Sequence, residues 1–168
     1  MSGRPFVLAE STWKTIQATA YEVAVLPWGA TEAHNFHLPY ATDVIESEHI
    51  AAEAARLAWA QKAYVIVLPA VPFGVNTGQL DIKLTINMNP STQLAVLNDI
   101  AAALARQHVP KLVVLNGHGG NNELIQLVAR DMALKHPAHL AAASYWTIAW
   151  DALVAARARG ESRHLVGY

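Results

Sequence analysis

The chain has 168 residues, no cysteine, 53% hydrophobic residues and a formal net charge of −1 from 12 Lys+Arg against 13 Asp+Glu, a composition that suits one compact domain over residues 1–168. The balanced charge supplies no basic field for nucleic acid, and no stretch approaches the about 20 apolar residues of a membrane span. Without cysteine there is no disulfide, thiolate metal site or cysteine nucleophile; the composition fits a reducing compartment, the cytoplasm, and any metal must be held by His, Asp or Glu.

In chain order, Glu22 to Pro27 (EVAVLP) predicts a buried strand that empties into a loop at Trp28-Gly29-Ala30. From Asp43 to Lys62, the residues Ile45, Ile50, Ala54 and Leu57 recur at helical spacing, and Thr42 or Asp43 is placed to cap the helix start. Tyr64 to Pro69 (YVIVLP) is a second buried strand. The loop from Phe73 to Asp81 beyond it reads either as ordinary surface or as a segment that closes over a ligand. A short strand is expected around Leu84 to Ile86. Asn89-Pro90-Ser91-Thr92 then opens a helix to about His108, with Leu94, Leu97, Ile100, Ala101 and Leu104 on one face and Val109-Pro110 as its stop. Lys111 to Leu115 is a third buried strand, followed by the loop Asn116 to Asn121 and a helix carrying Leu124, Leu127, Val128 and Met132. A fourth strand is expected over His139 to Thr147 and a last helix over Trp150 to Arg159. Continuous apolar strands that alternate with amphipathic helices predict an α/β fold, a mostly parallel central sheet covered on both faces in three α/β/α layers. Ligands of such sheets bind beyond the carboxyl ends of the strands, where the polar loops lie.

Of eight histidines, two stand with two carboxylates in the single segment Glu32, His34, His37, Asp43. Carboxylate oxygens and neutral imidazoles suit Zn²⁺ or Mn²⁺ where no thiolate is offered. Glu32 and His34 are two apart, so an extended backbone sends both side chains to one side. Asp43, at the helix start, can return to the same site. Taken singly, Asp43 reads as a helix cap and Glu32 as a solvated acid; taken together, the cluster favours a metal. The second element, Asn116-Gly117-His118-Gly119-Gly120-Asn121, surrounds a histidine with glycines that admit close approach of backbone and ligand. It reads as a metal ligand or as an anion-cradling loop, although the absence of lysine fits no phosphate loop.

These two motifs resemble those of the creatininase (creatinine amidohydrolase) family: Glu32, His34, His37, Leu38, Pro39, Thr42 and Asp43 match the first, and Asn116 through Asn121 the second. The resemblance implies an α/β/α domain that hydrolyses a C–N bond of a cyclic or linear amide by metal-activated water at a dinuclear centre. Glu32, His34, Asp43 and His118 would be the ligands, with Asp43 bridging two divalent ions, Zn and/or Mn, or Fe. His37 would orient a ligand or move a proton, and Trp146 and Gly119 would meet a small-molecule amide substrate. The resemblance also implies a homo-oligomer, a hexamer in the family. Asn35-Phe36 stand where Gly-Pro is common, which leaves substrate choice open. Members usually carry a later segment, resembling His-Ala-Gly-x-x-Glu-Thr-Ser, that supplies a further ligand and the general acid. Its absence here makes the chain a short member or fragment, and neither Glu123 nor Glu161 lies in a matching motif. A degenerate non-catalytic member, a formamide deformylase and a peptidase are the competing readings.

Overall fold

Four short apolar runs form the strands β1 (Val23–Trp28), β2 (Val65–Val67), β3 (Lys111–Asn116) and β4 (His139–Ser144). All pair in parallel, in the order β2-β1-β3-β4. The structure, a computed structural model, describes residues 3–135 and 139–144. The helix α1 (Trp13–Gln17) precedes β1, and α2 (Thr42–Ala60), α3 (Pro90–Arg106) and α4 (Asn122–Lys135) run between the strands.

Side chains alternate across the pleat, so β1, β2 and β3 each feed two cores. Ala24, Leu26 and Trp28 of β1 meet Leu112, Val114 and Ile66 on one face, under Leu97, Ala101 and Leu104 of α3 and Ile125 and Val128 of α4. Val67 and Leu115 meet Ala51 and Ala55 of α2 on the other, with Val25 packed against them. The expected three-layer α/β/α arrangement follows directly. Pro27 is tolerated in the central strand because its carbonyl accepts from Val71, beyond the last β2 pair at Val25↔Val67, so no ladder donor is needed there.

One expectation is corrected here. Leu84 to Ile86 is no strand: Leu84 has φ 65°, a left-handed backbone that a strand does not use, and Ile86 makes only a single bridge to Thr31. The short helix α1, and the 3-10 turn Leu8–Glu10 before it, carry too little periodicity to be read in advance. Trp146, the end of the fourth strand past Ser144, and the expected helix from Trp150 lie outside the described residues. Among the described residues, no helix is long and apolar enough to cross a membrane.

The strand order decides where a ligand can sit. From β1 the chain first winds to β2 on one side, then to β3 on the other. The direction therefore reverses between β1 and β3, and a crevice opens beyond their carboxyl ends. The loops that leave β1 and β3 carry both motifs.

Candidate metal centre

The loop after β1 is folded tightly on itself by a bridge between His34 and Leu38. Its return into α2 is fixed at Pro39, whose carbonyl accepts from both the amide and the hydroxyl of Thr42, at 3.1 and 2.7 Å. The helix N-cap is Ala41, with no side-chain cap. The expectation that Thr42 or Asp43 caps α2 is thereby corrected: Thr42 reaches back to Pro39, and Asp43 lies in the first turn with its carboxylate directed at two imidazoles.

The loop after β3 is held by amides. Asn116, the last residue of β3, accepts from the His118 N–H at 3.1 Å and donates to the His118 carbonyl at 2.9 Å, so one side chain fixes both peptide groups around the histidine. Asn121 accepts from Gln93 at 2.7 Å and from the Val75 N–H at 3.2 Å, and donates to Asn116 at 3.2 Å and to the Gly29 carbonyl at 3.4 Å. It joins the loops that follow β1, β2 and β3. Gly117 is required by proximity, since a Cβ there would lie 2.8 Å from the Asp43 carbonyl.

Glu32, Asp43 and His118 are buried and bring one ligand atom each within 4.8 Å of one another. His118 Nδ1 lies 3.1 Å from Glu32 Oε1 and 3.0 Å from Asp43 Oδ2. Its Nε2 faces the Val75 carbonyl at 2.9 Å. His34 stands on the other side of the aspartate, Nε2 2.7 Å from Asp43 Oδ1 and 3.9 Å from Glu32 Oε1, with Nδ1 3.2 Å from the Glu32 carbonyl. Asp43 thus offers one oxygen to each histidine. All four sequence-predicted ligands come together.

The electrostatics are those of carboxylates and imidazoles that share protons. The hydrogen bond to Asp43 raises the pKa of His34. Burial opposes charge on His118, yet its contacts with Asp43 and Glu32 lift it to about 10. Burial would raise Asp43, but the two imidazoles outweigh it and hold its carboxyl below the usual value. Asp43 Oδ2 is nevertheless buried without a hydrogen bond. Buried acceptors are normally satisfied, so an orphaned carboxylate oxygen among unsaturated nitrogen and oxygen donors fits a divalent cation.

The remaining predicted residues lie outside this cluster. His37 is exposed and stands outside the clustered triad. Gly119 is exposed, with open space where a side chain would start. Glu123 is exposed at the start of α4. Residues of the loop after β2, Val75 and Gln79, reach the site and were not anticipated; neither is an acid or an imidazole, and their only signal was a turn-rich loop at a strand exit.

Comparison with known proteins places these features in context. Residues 9–167 match the family model for creatinine amidohydrolase. A creatinine amidohydrolase from Pseudomonas putida is 27% identical over 169 residues, covering 92% of this chain and 62% of that protein. A protein from Bacteroides fragilis assigned as a creatinine amidohydrolase superposes with TM-score 0.81 at 41% identity, over 86% of this chain and 57% of that one. A manganese form of creatininase superposes with TM-score 0.76 at 25% identity, over 90% and 63%. The chain spans less than two thirds of the length of each of these relatives.

Proposed function

The chain belongs to the creatininase family, whose model covers residues 9–167, and on that premise we propose that it is a metal-dependent amidohydrolase that cleaves a C–N bond of a cyclic or linear amide at a dinuclear centre. The observation that carries this reading is the position of Asp43, with Oδ1 2.7 Å from His34 and Oδ2 3.0 Å from His118. A carboxylate that faces two imidazoles through different oxygens is arranged to bridge two cations. Glu32, His34, Asp43 and His118 would hold them. Relatives' structures described as a manganese form and as a Zn-Zn type support zinc or manganese, and iron is compatible with the same donors.

When bound, divalent ions supply Lewis acidity toward a carbonyl and lower the pKa of water toward about 7. The chain's own part is orientation. The Val75 carbonyl holds the Nε2–H of His118, which keeps Nδ1 toward the carboxylates, and the Glu32 carbonyl does the same for Nδ1 of His34. His37 is assigned to orienting a ligand or moving a proton. Gly119, unobstructed and exposed, is assigned to the substrate, with Trp146 as an aromatic wall. Exposed apolar side chains on the neighbouring loops, among them Phe36, Leu80 and Leu84, support association of copies, a hexamer by family resemblance. The cysteine-free sequence fits a cytoplasmic location.

The test is metal content per chain in protein purified without chelator, compared with Asp43→Ala and His118→Ala. Two equivalents in the parent and loss in both variants are expected, followed by amide hydrolysis in a substrate screen that includes formamides and peptides. One equivalent or none, or content that neither substitution changes, overturns the dinuclear reading.

A further inference from the structure

Glu32 divides its two oxygens between different partners. Oε1 faces His118 Nδ1 at 3.1 Å and His34 Nε2 at 3.9 Å, whereas Oε2 accepts a hydrogen bond from the side-chain amide of Gln79 at 2.8 Å. Gln79 lies 47 residues further along the chain, at the end of the 3-10 turn Thr77–Gln79. Building on the metal-centre reading above, we infer that Gln79 is a positioning residue that occupies Oε2 and so presents Glu32 to the cation through Oε1.

A carboxylate free to rotate offers either oxygen, or both in a bidentate mode; a neutral amide donor at one of them removes that choice without adding a charge that competes with the metal. Lysine or arginine at this place would pair with Glu32 and reduce its value as a ligand. The amide is itself held in place. Gln79 donates its backbone N–H to the Asn76 carbonyl at 3.1 Å. Asn76 is buried; its backbone N–H donates to Asn87 Oδ1 at 2.8 Å, and its side-chain amide donates to the Ile86 carbonyl at 3.0 Å. Ile86 in turn donates to the carbonyl of Thr31 at 3.0 Å, the residue next to Glu32. The loop is therefore tied to the backbone beside Glu32 and to its carboxylate. Five residues from Gln79 on the same loop, Gly74 is followed by Val75, whose carbonyl orients His118. One loop thus sets the ligand atom of two proposed ligands.

The experiment is titration of the metal-stripped full chain with Co²⁺ alone, read as affinity and as the visible d–d spectrum. The variants are Gln79→Met, which keeps length and removes the donor, Gln79→Ala, and Glu32→Ala for reference. Both Gln79 variants are expected to bind Co²⁺ about 10- to 100-fold more weakly, as for other groups that orient a ligand, with a shifted spectrum and with the thermal unfolding of the metal-free protein unchanged. If both bind with parental affinity and spectrum while Glu32→Ala loses binding, Gln79 has no positioning role and the metal centre stands. If weaker binding comes with an equal loss of metal-free stability in both, Gln79 serves the fold alone and the inference fails. Parental binding by Glu32→Ala overturns the centre itself, and the role of Gln79 with it.

Discussion

The carbonyl oxygen of Val75 lies 2.9 Å from Nε2 of His118, and this contact decides which ring nitrogen remains available. A carbonyl only accepts, so Nε2 carries the proton and the neutral ring presents its lone pair at Nδ1. That is the nitrogen facing Glu32 and Asp43. The loop after β2 therefore orients the proposed ligand carried by the loop after β3, and β1, between the two strands in the sheet, brings both loops to the same crevice.

Gly120→Ala is expected to break this arrangement. Its Cβ would fall 2.1 Å from the Val75 carbonyl and 2.7 Å from His118 Nε2, so loop and imidazole must separate. The expected cost is about 1–3 kcal/mol of stability, with metal content lost. Gly119→Ala is the control, because its Cβ meets nothing within 4 Å. It is expected to retain fold and metal and to raise KM for substrate with little change in kcat. Equal metal content in the two variants would sink the argument.

The pH dependence of the metal-free protein has a defined sign. The pKa of His118 is raised to about 10 in the folded state, against about 6.5 for an unperturbed histidine. Its stabilising contribution is fully present below about pH 6.5 and is lost as pH rises through about 10. Asp43, with a lowered pKa, contributes above its ordinary value and loses that contribution on acidification. The thermal unfolding temperature of metal-stripped protein should therefore fall from neutral to alkaline pH. Cation uptake must displace the His118 proton, so metal affinity should rise with pH below about 10, with protons released. Calorimetric titration in buffers of different ionisation enthalpy counts them; no release would refute the protonated cluster.

The parts of this site that were legible in the sequence are the ones whose chemistry is local. Glu32, His34 and Asp43 stand close in the chain, and His118 sits among glycines, so residue type and spacing identified them. The strands were legible because each is a short apolar run, largely buried in β1, β2 and β3. What escaped depends on contacts across the fold. Asp43 has the sequence context of a cap, yet its carboxylate faces the His34 and His118 imidazoles, and Pro39 takes the bonds of Thr42 instead. Leu84 to Ile86 has strand-like composition, but its backbone donors and acceptors are used singly, as in the bond from Ile86 to Thr31. Gln79 gave no signal: a neutral amide in a turn becomes informative only when the carboxylate it meets is known.

Asn121→Ala tests whether the amides behind the centre hold it together. Asn121 is fully buried, and its carbonyl oxygen serves two donors, Val75 N–H and Gln93 Nε2. Truncation leaves both without this acceptor, and Gln93 Oε1 already has no hydrogen bond. Unsatisfied buried groups cost about 1–3 kcal/mol each, so a loss of about 2–6 kcal/mol in denaturant unfolding is expected. The damage should extend to the metal, since Val75 released from Asn121 no longer fixes the His118 ring. Asn121→Asp separates the two effects: it keeps the acceptor for Val75 and Gln93 but loses the donor to Asn116 and Gly29. Metal affinity should fall less in Asn121→Asp than in Asn121→Ala. The reverse order would mean that the link to Asn116, rather than the link to Val75, holds His118 in place.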